Sequence, residues 1–223
     1  MVRPFTPPTL QNAVCFAHED PEKVSRDFLY FFRGKSPPFN YKFINGIALA
    51  AMRAKLSEQQ IRSAIIARKG ESKFLPTFLE LAPYIHECFS RRTPKYVIEL
   101  PRQYYPLAGL RIPFHPPFAY REGNELAIPW PLYSKTRLLS SRQLSLLAHI
   151  ITEQIHQEPD YRDAWVVIHD FSADPGSKHR SLKRMDVRDI PPLPTEEHRA
   201  DLPAFIGPLI PGIRPRVGGC CSG

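Results

Sequence analysis

Residues 46–70, GIALAAMRAKLSEQQIRSAIIARKG, read as two helices joined by a tight turn, and the rest of the chain is organised around them. Ile47, Ala50, Ala51 and Ala54 recur at helical spacing and give the first helix a smooth face for close packing. Leu56 fills the corner. Ser57, followed three places on by Gln60, is a capping-box pair, in which hydroxyl and amide each satisfy an orphan N–H at the start of the second helix. Ile61, Ala64 and Ile65 form that helix's inward stripe, and Gly70 suits the left-handed geometry that ends it. Turned away from the stripe, at 100° per residue, are Gln59, Arg62, Ser63, Ile66 and Lys69.

Ala51 ahead of the corner, Leu56 in it and Ile61 beyond it make this stretch resemble the helix-turn-helix of DNA-binding proteins, including the type found in site-specific recombinases. The resemblance covers about a tenth of the 223 residues. It implies double-stranded DNA as a partner, with Gln59, Arg62, Ser63 and Lys69 leading the contact and Arg68 and Lys73 on phosphates. The corner glycine of the pattern is Lys55 here, which must take a left-handed backbone or use a longer turn. Ile66 suits a thymine methyl, and it suits a protein partner or a bundle core as well. The alternative is therefore a helical hairpin that serves as a protein-interaction module or a homodimer contact.

Length allows one larger or two small domains, and 43% hydrophobic with 11% aromatic residues excludes a mainly disordered chain. The net charge of +8 favours polyanionic partners without selecting one. Cys15 and Cys88 stand alone, and the adjacent Cys220 and Cys221 match no zinc spacing, so a reduced, cytoplasmic protein is expected. No apolar run is long enough to cross a bilayer, and no membrane partner is expected. With no Gly-rich phosphate loop, no nucleophile elbow and no metal motif, no cofactor and no catalytic residue is assigned.

The fold class expected is α+β, an N-terminal all-α bundle followed by a mixed α+β layer with a small sheet. Residues 1–19, with Pro4, Pro7 and Pro8, read as an irregular arm. Residues 20–92 read as a helical domain. It opens at the cap Asp20-Pro21-Glu22 with the stripe Val24, Phe28, Phe31 and Phe32, and it closes with a helix over 74–89 kinked at Pro83. Residues 95–206 read as the α+β domain: strands over 95–100, 110–120 and 125–130, a helix capped by Ser140 and Gln143, a buried strand over 164–171, an exposed one over 182–190 and a short helix over 196–206. Prolines 113, 116, 117, 129 and 131 point to edge strands or bulges. Residues 207–223 form a Pro/Gly-rich tail.

That order of elements resembles, in outline, the restriction-endonuclease-like nuclease core, and so a divergent or inactive nuclease is a further alternative. The third strand and its continuation supply Glu125 and Lys135 but lack the acid-x-lysine pair such a site requires, and Asp170 suits a metal ligand or the cap of a turn. His149, Glu153 and His156 share one helix face and read as surface residues. Lys178, His179, Arg180, Lys183, Arg184 and Arg188 offer either a phosphate-contacting surface or a charged guard on an edge strand.

Overall fold

A mixed sheet organises the computed structural model, which describes residues 9–15, 41–69, 72–107, 110–136 and 139–192. Seven strands are described: β1 (Tyr96–Glu99), β2 (Gln103–Leu107), β3 (Leu110–Phe114), β4 (Phe118–Glu122), β5 (Glu125–Leu132), β6 (Trp165–Asp170) and β7 (Lys183–Asp186). Five of them form one sheet in the order β1-β4-β5-β6-β7, and β2 and β3 form a separate hairpin. Only β5 and β6 run parallel. Parallel neighbours need a crossover, and the long helix α5 (Ser141–His156) supplies it. The other helices are α1 (Leu10–Val14), α2 (Lys42–Ala54), α3 (Glu58–Lys69) and α4 (Leu75–Ile85). The chain is thus α+β.

Strand alternation sorts the apolar residues into two cores. Ala119, Ile128, Trp130, Val166 and Ile168 face α1 and α5 and pack with Leu147, Ile150 and Ile151. Phe118, Tyr120, Ala127 and Phe171 face the other way and pack with Ile44, Ala51, Met52, Ile61, Ile65, Phe78, Leu81 and Ile85 of α2, α3 and α4. Each wholly buried aliphatic or aromatic side chain contributes about 1.5–3 kcal/mol, so both faces of the sheet are energetically closed. The helices before residue 92 and the strands after residue 95 share this second core.

Several local expectations are revised. Residues 10–14 are helical rather than irregular, because Leu10, Ala13 and Val14 dock on the sheet while Gln143 Nε2 donates to the Cys15 carbonyl at 3.0 Å. The strand expected over 110–120 is two strands: His115-Pro116-Pro117 breaks it, and its halves enter different sheets. A further strand, β2, runs through Pro106 and pairs with β3 from Gln103 to Leu107. Pro83 lies inside α4 without ending it, and the chain widens into a π-turn over His86–Ser90 instead.

Pro129 and Pro131 sit in β5, the middle strand, rather than at an edge. The Glu122–Glu125 pair closes a two-residue turn, with Gly123 at φ +61°, and turns the amides of odd-numbered β5 residues toward β4. The β4 ladder ends at Ala127, while β6 pairs with β5 from Ala127 to Leu132. By that register Phe118 stands opposite Pro129, so the ladder stops where the proline has no N–H to give, and Pro131 lies past the end of β4. The Phe-striped helix, the helix over 196–206 and the tail lie outside the described residues.

Candidate nucleic-acid interface

The α2–α3 corner is built by one strained residue. Lys55 caps α2 in the left-handed region (φ 54°, ψ 42°), the sole described non-glycine residue at positive φ, while the Leu56 N–H reaches the Ala51 carbonyl at 3.3 Å. The chain then enters α3 through the expected capping box: Gln60 N–H donates to Ser57 Oγ at 3.2 Å, and Ser57 N–H donates to Gln60 Oε1 at 2.8 Å. Ala51, Ile61 and Ile65 are wholly buried.

That burial leaves the opposite side of α3 open. Gln59, Ser63 and Ile66 are exposed, Ile66 at 51% of its surface, and Arg62 lies half-buried beside them. Arg62 is not a free cation, since its Nε bonds Glu58 Oε1 at 2.7 Å. Arg68 is exposed on another side: nine residues at 100° each carry it half a turn from Gln59, onto the azimuth of the buried isoleucines. The Lys69 side chain lies outside the described residues. Lys73 is exposed in the turn before α4, its ammonium 5.1 Å from the Phe74 ring centre. The structure therefore brings Gln59, Arg62, Ser63 and Ile66 onto one face of α3 and turns Arg68 away from it, while Lys73 lies beyond the helix.

The basic cluster near β7 is not an open cationic surface. Lys183 pairs with Asp174 at 2.6 Å, Arg184 with Glu87 at 3.0 Å and Arg188 with Asp186 at 2.6 Å. Arg180 is buried. Its Nη1 donates to the carbonyls of Tyr133 (2.9 Å) and Phe171 (3.0 Å), its Nε to Glu80 (3.1 Å), and its Nη2 has no partner. Lys135 Nζ holds the other Glu80 oxygen at 2.8 Å. Burial alone would raise the Glu80 carboxyl, but the Lys135 and Arg180 bonds outweigh it and lower the pKa.

This network lies where β5 and β6 end, next in the chain to Asp170, whose expected role is a metal ligand or the cap of a turn. β1, β4 and β5 are antiparallel, α5 crosses over, and β6 is parallel to β5. Both oxygens of Asp170 accept from Ser172, the N–H at 2.9 Å and the hydroxyl at 3.0 Å, so Asp170 caps a turn. Glu80 faces two cations. Among the described residues no group of three His, Cys, Asp or Glu side chains stands together as a metal site. His149 meets Glu153 at 4.0 Å on the surface, and His156 turns to the Ala164 carbonyl at 3.2 Å.

No family model matches the chain, and no curated protein or solved structure matches it.

Two further features were missed in the sequence. On the β2–β3 hairpin, the guanidinium carbons of Arg102 and Arg111 stand 5.3 and 4.5 Å from the ring centre of exposed Tyr104, an arginine–tyrosine stack with its N–H groups directed by the ring. Its signal was Arg102-x-Tyr104, legible only once β2 is recognised. A cleft of about 370 Å³ beside the β4–β5 turn is lined by Tyr96, Arg121, Glu125, Asp160, Asp163 and Trp165 among others. Its three carboxylates are opposed by two guanidiniums, Arg121 and Arg188, so it is not a cationic surface. Among the described residues no helix is long and apolar enough to cross a membrane.

Proposed function

We propose that the protein is a non-catalytic, DNA-binding or regulatory protein that meets double-stranded DNA through the outward face of α3. One observation carries the reading: a helix entered through a left-handed corner seals Ile61 and Ile65 inside and leaves Gln59, Ser63 and Ile66 open to solvent. Gln59 and Ser63 suit base edges, Lys69 suits a phosphate, as does Arg62 once it exchanges its exposed pair with Glu58 for one, and Ile66 suits a thymine methyl. The Arg102–Tyr104–Arg111 stack adds unpaired guanidiniums elsewhere on the surface, without a sequence code of its own. The test is a salt titration of binding to mixed-sequence duplex DNA. Replacing Arg62 and Lys69 together by Ala should lower the slope of log K against log salt by about 2. An unchanged slope rejects this face, and the loss of a protein complex on Ile66→Glu without DNA affinity would favour the interaction module.

A second reading rests on the strand-end network. The chain is a nuclease-like frame in which Arg180 and Lys135 neutralise Glu80 where a divalent cation would otherwise sit. It predicts no magnesium-dependent cutting of duplex or single-stranded DNA, and cutting that Asp170→Asn abolishes would overturn it.

A further inference from the structure

The two edges of the five-stranded sheet are guarded unequally. β7 presents Lys183, Arg184 and Asp186, each paired with a charge. β1 presents Tyr96 and Ile98, exposed at 44% and 39%, two of the four large hydrophobic side chains that stand most open among the described residues. An edge that leaves such side chains open and whose charges are carried on exposed, long side chains is a template for another strand.

The backbone of β1 turns ladder groups away from β4, one of them held by a solvent-exposed arginine. Arg53 Nη2 approaches the Val97 carbonyl at 3.4 Å, so that carbonyl points away from β4. In an extended strand N–H and C=O of one residue point the same way, and residues two apart agree. Val97 and Glu99 therefore turn their ladder groups outward, while Tyr96 and Ile98 are tied to Arg121 and Ala119 of β4. Lys95 sits at a bulge, its N–H on the Arg121 carbonyl at 2.7 Å, and brings its exposed charge rather than its amide to the edge.

We propose that β1 pairs antiparallel with β1 of a second copy of this chain, about a two-fold axis through Val97. That register is self-complementary. Val97 meets its own counterpart as a hydrogen-bonded pair, and Tyr96 meets Ile98 of the partner subunit on the open face as an aromatic–aliphatic pair. Lys95 meets Glu99 of the partner subunit, twice by symmetry, so the charges at the strand ends attract rather than repel. A parallel pairing would set like charges side by side. The five-stranded sheets then join into one ten-stranded sheet across the axis. Arg53, whose guanidinium lies within 3.4 Å of Glu99 with both side chains largely in solvent, swings aside as the second strand arrives. The interface is small, and the association is weak and concentration-dependent. It stands independently of any DNA binding.

Sedimentation equilibrium of the full chain over a wide concentration range tests it. The expected result is a monomer–dimer equilibrium that Val97→Pro weakens at least tenfold. That substitution removes an outward N–H and leaves the β4 ladder its donors. Lys95→Glu should weaken the dimer as well, and Lys95→Glu with Glu99→Lys should bring it back. Ile98→Lys, at an exposed position, replaces Val97→Pro if the latter lowers the thermal midpoint. A monomer at every concentration overturns the proposal, as does a dimer that Ile98→Lys and Lys95→Glu leave unchanged.

Discussion

The outward face of α3 and the strand-end network around Arg180 are both built from polar and basic residues, and they use them in opposite ways. On α3 Ile61 and Ile65 are buried while the polar groups and Ile66 face water, with one surface pair between Arg62 and Glu58. Around Arg180 the cation itself is inside, and backbone carbonyls and Glu80 are arranged to hold it. A count of basic residues cannot separate the two. What separates them is whether each guanidinium already has its acceptors, because a cation held by carboxylate and carbonyl oxygens has little left for a phosphate.

Substitutions should expose this difference, beginning with the network. Arg180→Ala leaves two buried carbonyls without their donor and Glu80 with Lys135 alone, and the expected loss is about 2–5 kcal/mol by urea denaturation. A loss below 1 kcal/mol would show the network to be decorative.

Acid titration probes the same core from its interior. His169 is buried against Phe89 and Phe171 with Nδ1 unpaired, and burial, then the Arg184 and Arg92 charges, push its pKa down to about 3. The unfolded chain protonates near pH 6.5, whereas the folded one resists until about pH 3. Stability is therefore full above pH 6.5 and falls as pH falls through that window, by up to about 1.4 kcal/mol per pH unit for one proton. His115, lowered by burial and then by Arg102, acts in the same direction. Chemical denaturation at pH 7 and pH 5 should show the slope reduced in His169→Phe.

The hairpin should respond the other way. Lys55→Gly relieves a left-handed backbone that a side chain disfavours, and a gain of about 1 kcal/mol is expected in thermal or urea unfolding. The smallest effect belongs to the open face. Ser63→Ala and Gln59→Ala should change stability by less than about 0.5 kcal/mol while weakening duplex binding in a fluorescence-anisotropy assay. A large stability loss there would mean the face is packed rather than open.

Much of the hairpin was legible before any coordinates. Ser57 and Gln60 announced the cap, Ala51, Ile61 and Ile65 announced the buried side, and the conflict at Lys55 was visible as a glycine position filled by lysine. Ser140 and Gln143 were equally plain, and both of their reciprocal bonds form. These succeed because caps and helical stripes depend on neighbours within a few residues. Arg68 shows the limit: sequence grouped it with the phosphate contacts, while the helix carries it away from Gln59.

The strand prolines and the basic residues beyond 178 could not be read this way. Whether Pro129 costs a ladder bond depends on where β4 stops, and whether Arg180 meets solvent depends on Tyr133, Phe171 and Glu80 arriving from three other segments. The amino-acid sequence by itself determined the α+β class, the capped helices and the sides of each that turn inward. Only the tertiary structure decided which charges remain available and which sheet edge stays open. Helical periodicity is a local property of the chain, whereas burial and charge pairing are set by residues up to a hundred positions apart, as Glu80 and Arg180 are.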